Sequence, residues 1–381
     1  MRLNFLFCAL ALASMFSCQN SDSNNSGVEK SEELTNASVY IDSAFTKMFM
    51  SEVDGQITGA DGTYSIPLSD GRSLFLFGDS FLDKVVDNTR EEKDPPFIHN
   101  SFMILDGLDG GIKPIFNTLD GHNEAIAEPF ADDHWYWPGT GFEKDGKLYV
   151  FMSEFFQRDP NSIWGFEWLS TDLLVYSLED FSILERYDIP YSNDNGVHYG
   201  HAVVEDGEFV YIYGAQATDE GNSVAHVARA KQGSLEKDWE FFDGSGWNDN
   251  PMSTQPMGGL STVQISEQFN VVKMKDSFVL LTQQRGIGEP DIYTFTSDEP
   301  FGNWDNKVNI YRTTEQDADS TVYTYNAMIH PQLEKDGRIL VSYNVNTLVF
   351  EDLFTDASIY RPRFISVPTQ LILGDSKSEK I

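Results

Sequence analysis

The chain has 381 residues, with 60 acidic against 26 basic side chains and a formal net charge of −34. A surface this acidic lacks the basic stripe that a nucleic-acid binder needs to displace counterions, and it disfavours acidic polysaccharides as ligands. The only two cysteines, Cys8 and Cys18, lie at the extreme N-terminus, so the domain that follows has no disulfide, no thiol nucleophile and no cysteine zinc site.

The chain opens on Met1, Arg2 and Asn4, and residues 5–16 form an apolar run short of the roughly 20 residues that cross a bilayer. It ends at Ser17-Cys18, and a polar stretch follows. This pattern resembles a bacterial lipoprotein signal, although Met15 and Phe16 depart from the strict lipobox. The resemblance implies a signal over 1–17, cleaved before an acylated Cys18. No later apolar run is long enough to span a membrane, so the lipid is the expected anchor, on a monomer held in the cell envelope at the cell surface or the periplasmic side of the outer membrane. Residues 18–37 are rich in Ser, Asn and Glu and read as a flexible tether. The folded domain is expected over 38–373, with a charged tail over 374–381.

From there on, short runs of Val, Ile, Phe and Tyr alternate with Gly, Asp and Asn turns, an all-β signal. One unit repeats: a strand, a charged turn, then a second apolar strand. The turns are Ser69-Asp70-Gly71, Lys144-Asp145-Gly146, Glu205-Asp206-Gly207, Lys275-Asp276-Ser277 and Lys335-Asp336-Gly337. Their spacing suits four-stranded blades, and five such units predict an all-β, five-bladed β-propeller. A β-sandwich with several Asp-Gly hairpins is the competing arrangement. The first blade is expected to begin near Ser38, the last strand to run over 358–373, and one terminal strand to complete the opposite terminal blade.

A three-residue hairpin loop ends on a left-handed glycine. With Asp70 at its centre, residues nine positions to either side face one another, and these are Asp61 and Asp79. Opposed Cβ atoms lie about 4.5–5.5 Å apart, where like charges destabilise a sheet, so either one of the pair is expected to have a raised pKa or a cation or hydrogen-bond network is expected to hold both. Such a pair is what glycoside cleavage uses. The same offset places Tyr136 opposite Glu154, Glu267 opposite Arg285, Val197 opposite Ala215 and Ala327 opposite Val345. His99, His201, His330, Asn326 and Asn344 are further candidates for substrate binding, as are Tyr136, Glu267 and Arg285. Trp135, Trp137, Trp164 and Trp168 are candidate sugar platforms, whereas Trp239 and Trp304 read as outer-strand core. The histidines lack the spacing of a zinc helix or a calcium loop.

The ordered set GADGTYSIPLSDGRSLFLFGDSF, FIHNSF, WPGTGF, YGHAVV and YNAMIHPQL followed by VSYNVNT resembles bacterial propeller families catalogued as domains of unknown function 4185 and 5005, over residues 50–372. These are similar in fold to the arabinanases and xylosidases of glycoside hydrolase family 43, and relatives of the first are described as endo-D-arabinofuranases. The resemblance implies acidic catalytic residues in the funnel, matched here by Asp61 and Asp79, with Glu154 or Glu267 in the place of the family 43 acid. It also implies a calcium ion in the central channel. The leading reading is therefore a glycoside hydrolase, retaining in stereochemistry, on a neutral oligo- or polysaccharide such as an arabinofuranoside polymer. Asp61 and Asp79 form its catalytic pair in an unassigned order, with Glu154 tuning them or supplying the acid. A non-catalytic glycan-binding lipoprotein and a purely structural propeller are the alternatives.

Overall fold

Alternating side chains on each strand are what build the ring. On the second strand of blade two, Leu148, Val150 and Met152 pack with Tyr64, Leu74 and Leu76 of blade one. Phe151, on the opposite face, packs with Tyr199, Val210 and Ile212 of blade three. A period of two thus buries one strand against two neighbours, which is why these strands read as near-continuous apolar runs. In this computed structural model, residues 39–93, 95–219 and 221–374 are described. The signal, Cys18, the tether and all of the expected tail beyond Gly374 lie outside them.

The five sheets follow in chain order. Blade one comprises Tyr64–Pro67, Ser73–Phe77, Ser101–Leu105 and Ile112–Ile115. Blade two comprises His134–Lys144, Lys147–Gln157, Phe166–Ser177 and Ile183–Ile189. Blade three comprises His198–Asp206, Phe209–Ala217, Ser223–Lys231 and Glu240–Phe242, with a fifth short strand, Trp247–Asn248. Blade four comprises Asn270–Met274, Ser277–Gln283, Asp291–Ser297 and Asp305–Arg312. Blade five takes Val322–Lys335, Arg338–Thr347 and Arg363–Pro368 from the end of the chain and Tyr40–Ile41 from its beginning. Tyr40 pairs with Ser366 and Ile41 with Ile365, which closes the ring.

Two expected boundaries are corrected. Blade one begins at Tyr64, because the residues after Ser38 complete blade five and then form a helix, Ser43–Phe49. Asp42 caps that helix by accepting from the Phe45 N–H at 2.9 Å, and Phe45 and Phe49 pack edge-on against Phe364. The last strand is also shorter than expected. It stops at Pro368 and gives way to a helix, Thr369–Leu373, whose apolar Ile372 and Leu373 are buried in the core shared with blades four and five. Trp239 and Trp304 are buried as outer-strand core, at 1 % and 2 % exposure.

Near the axis the blades approach so closely that side chains are excluded. A Cβ on Gly139, in the WPGTGF segment, would lie 2.2 Å from the Gly200 carbonyl oxygen of blade three. Gly139→Ala is therefore expected to destabilise the protein by about 1–3 kcal/mol, the usual range for overpacking. Gly246→Ala, whose Cβ would meet open space, serves as the control, and urea unfolding of both variants checks the difference.

Candidate active site

The register of blade one delivers two carboxylates to the same point. Its hairpin pairs Pro67 with Ser73 and Tyr64 with Leu76. Beyond a short break, Ala60 still pairs with Ser80 and Gly59 with Phe81. Asp61 and Asp79 lie within that break, opposite one another, with the Gly78 N–H donating to the Asp61 carbonyl at 3.0 Å. A side chain at position 78 is excluded by the carboxyl itself, since a Cβ there would sit 2.6 Å from Asp61 Oδ1.

The two carboxyls meet different surroundings. Asp61 Oδ2 accepts from the Tyr325 hydroxyl at 2.7 Å, and the Tyr360 phenol and the Asp79 backbone N–H also donate to the Asp61 carboxyl. Burial, reinforced by the charge of Asp79, outweighs these donors and pushes the Asp61 pKa up to about 7. Asp79 Oδ1 accepts from the Trp137 indole N–H at 2.8 Å and lies 2.9 Å from His99 Nδ1. Burial alone would hold the His99 pKa down, but its bond to Asp79 and the charges of Asp79 and Glu128 raise it. The His99 ring stacks on Trp135 at 4.9 Å between centroids. Around Asp61 the backbone is strained: Thr63 and Tyr360 take φ of +52° and +65°, a region that branched and bulky residues seldom enter.

These groups sit at the floor and wall of a funnel of about 1110 Å³. Blade two supplies an aromatic wall in which Trp137 contacts Phe155 at 4.5 Å and Phe166 at 5.0 Å. Trp168 stacks on His198 at 4.4 Å. At the mouth, Trp164 and Ile287 are 51 % and 71 % exposed. The remaining wall is polar and carries Gln264, Gln268, Gln284 and the Glu267–Arg285 pair.

Of the residues picked out from sequence, Asp61, Asp79, His99, Trp137, His201, Glu267, Arg285 and Asn326 line this funnel, as do Trp135, Trp164 and Trp168. Four do not, and their expected positions are corrected. Tyr136 and Glu154 are opposed as expected. However, successive residues of a strand point to opposite faces, so with Trp137 turned to the funnel, Tyr136 is turned away from it. The Tyr136 phenol donates to Asp172, while Glu154 holds His134 at 2.5 Å and Ser170 at 3.0 Å. His330 is fully buried and bridges Ser65 at 2.7 Å and Ser342 at 2.9 Å. Asn344 is buried and its Oδ1 accepts from the Thr63 hydroxyl at 2.7 Å.

The expected Glu267–Arg285 ion pair forms, with Arg285 Nε at 2.9 Å and Nη2 at 2.5 Å from Glu267 Oε1. Two other expected pairings slip: Ala215 faces His198 rather than Val197, and Val345 faces Thr324 rather than Ala327. Both hairpins turn on two residues rather than three, pairing Asp206 with Phe209 and Lys335 with Arg338, and register shifts between Tyr199 and Ala202, between His330 and Lys335 and between Tyr325 and Met328 leave the inner ends off the expected count. Tyr325 and Tyr360 were missed. Tyr325 lies within the YNAMIHPQL segment and was within reach of sequence reasoning, whereas Tyr360 comes from a connection with no periodic signal.

Among the described residues no three His, Cys, Asp or Glu side chains gather as a metal-binding group, the kind of cluster through which carboxylates hold calcium.

A family model described as Domain of unknown function (DUF5005) matches residues 42–370. No curated protein matches the chain. Among solved structures, a putative hydrolase from Bacteroides ovatus superimposes with a TM-score of 0.70 at 22% identity, covering 86% of this chain and 90% of that one. CoXyl43, a GH43 β-xylosidase/α-arabinofuranosidase from a compost microbial metagenome, gives 0.49 at 13% identity, with coverages of 84% and 93%. Zg3597, a family 117 glycoside hydrolase from Zobellia galactanivorans, gives 0.49 at 13% identity, with coverages of 86% and 89%. The first of these likenesses shows a shared fold.

The raised Asp61 pKa carries a consequence for stability. Its folded value of about 7 lies above the ordinary 3.8, so between those values the native state binds more protons than the unfolded chain. Stability then falls as pH rises through that window and levels off above it. Asp61→Asn removes the penalty. Its melting temperature is expected to match wild type near pH 4 and exceed it near pH 8, by a margin worth about 2–4 kcal/mol, as calorimetry at both pH values would show.

Proposed function

The chain belongs to the family described as Domain of unknown function (DUF5005), and we propose that it is a glycoside hydrolase acting on a neutral oligo- or polysaccharide. The observation that carries this reading is the Asp61–Asp79 pair: two opposed carboxyls whose surroundings differ, set in an aromatic-walled funnel. Finding titratable groups whose environments push them apart is the standard route to an acid and base assignment.

Asp61, buried and holding a proton near neutrality, is the acid that protonates the departing glycosidic oxygen. Asp79 is the carboxylate that attacks the anomeric carbon or activates a water. Trp137 and His99 fix its orientation through the 2.8 Å and 2.9 Å contacts to Oδ1. Opposition on one hairpin suits the short separation, about 5–5.5 Å, of a retaining double displacement. Glu154, engaged with His134 and Ser170 on the other face of blade two, takes no part in transfer.

The wall of Trp135, Trp137 and Phe155 offers flat faces to sugar rings, and the glutamines with Asn326 and Arg285 meet hydroxyl groups. The net charge of −34 works against uronates, which favours neutral polymers, arabinofuranosides first among them. Acylation at Cys18 would hold the funnel in the cell envelope.

Two outcomes are expected. The purified domain releases sugars from arabinan or another neutral polymer, and Asp61→Asn and Asp79→Asn each reduce that release by about 100- to 10,000-fold; chromatography of the products and proton NMR of the first anomer read rate and stereochemistry. Saturable glycan binding without release from any polymer would make the protein a glycan-binding lipoprotein instead. In cells, metabolic labelling with a radioactive fatty acid is expected to mark the wild type and to be lost in Cys18→Ala.

A further inference from the structure

Three groups donate hydrogen bonds to the Asp61 carboxyl: the Tyr325 and Tyr360 phenols and the Asp79 backbone N–H. Tyr325 donates at 2.7 Å, and its own hydroxyl lies 3.5 Å from Asn346 Nδ2, a group that can only donate. The Tyr325 oxygen is thus an acceptor toward Asn346 and a donor toward Asp61. Tyr360 and the Asp79 backbone N–H complete the set. The two phenols come from opposite directions, Tyr325 from the innermost strand of blade five and Tyr360 from the connection between that blade's second and third strands.

Tyr360 is the more telling of the two. It is 5 % exposed, edge-packed on Phe81 at 5.4 Å, and held with φ at +65°. Its N–H donates to the Val345 carbonyl at 3.0 Å. A bulky side chain in the left-handed region costs free energy that packing must offset, and such strain concentrates at functional sites. Neighbouring contacts hold this segment in place. Arg90 donates to the carbonyls of Leu353 at 2.7 Å, Ala357 at 3.0 Å and Thr58 at 3.1 Å, which ties the connection carrying Tyr360 to the strand leading into Asp61.

We propose that Tyr325 and Tyr360 are positioning residues for Asp61, clamping its carboxyl between two phenols that fix the orientation from which it gives up its proton. Without the clamp, a buried carboxyl beside Asp79 would keep its proton and be a poor donor. The groups facing Asp61 are Asp79 on the opposed strand, Tyr64 on its own strand, Tyr323 and Tyr325 on blade five, and Tyr360. Tyr323 feels the charge of Asp61, and no hydrogen bond joins the two among the described residues. The inference gives a role within the hydrolase reading above and rests on it for its catalytic meaning.

The test measures the proton directly. Protein labelled with carbon-13 at the aspartate carboxyls is titrated by NMR, with the Asp61 signal assigned by its loss in Asp61→Asn. Tyr325→Phe and Tyr360→Phe each remove one donor and keep the ring, and each is expected to raise the Asp61 midpoint by about one pH unit, tenfold in proton affinity. Tyr323→Phe is expected to leave it in place. In the active enzyme, the basic limb of kcat/KM moves upward in the same two variants. A midpoint that stays put or falls in both, with release of sugars intact in wild type, overturns the clamp and leaves the hydrolase reading standing. A raised midpoint in a protein that releases no sugar from any polymer upholds the clamp and removes the hydrolase reading. Should one variant fail to fold, the other decides.

Discussion

Two carboxylates held opposite one another at the end of a single hairpin are the constraint around which the centre of this protein is arranged. Like charges so placed oppose the fold, and burial sharpens the cost. What offsets it comes from elsewhere in the chain: an indole from blade two, an imidazole from the loop after blade one's second strand, and two phenols from blade five. Apart from His99, these donors stand outside blade one, which alone could not hold them in place. Each blade shares its apolar faces with its neighbours, so the ring as a whole fixes positions that no single sheet could fix.

The five blades and the opposed aspartates were legible in the sequence because both follow from short-range rules. A charged turn recurs five times, and counting outward from Asp70 needs only an unbroken pairing. That pairing is restored across the break at Asp61, so the count survives. In blades three and five the turn holds two residues instead of three and the first strand carries register shifts, so the same count lands one or more residues away. Hairpin counting cannot see an extra residue in one strand. Nor does it say which face a residue presents to the axis, which is why Glu154 and Tyr136, correctly opposed, lie outside the funnel. His330 and Asn344 illustrate a different difficulty: a buried imidazole or amide is as useful between blades as in a site, and composition does not distinguish the two. Tyr360 was hidden altogether, since its position depends on a connection folded back across the ring.

The walls of the funnel divide their chemistry by blade. Blade two is aromatic, blade four supplies amides and an ion pair, and blades one and five hold the acidic centre. A sugar ring has two apolar faces and a hydroxylated rim, so a site with one flat wall and one amide wall orients it rather than merely holding it. That division also separates affinity from chemistry, since the stacking residues lie on a different blade from Asp61 and Asp79.

The closure of the ring by Tyr40–Ile41 against Arg363–Pro368 has a bearing on how the protein is made. A ribosome delivers the outermost strand of the last blade first and its partner almost last, so nearly the whole polypeptide must be synthesised before the circle can be sealed. Until then the early strand waits without its partner, and the contact that completes the architecture is among the most distant in sequence, which slows folding. The same seam sets the domain's first strand, Tyr40–Ile41, directly beside its last, Arg363–Pro368, on one blade.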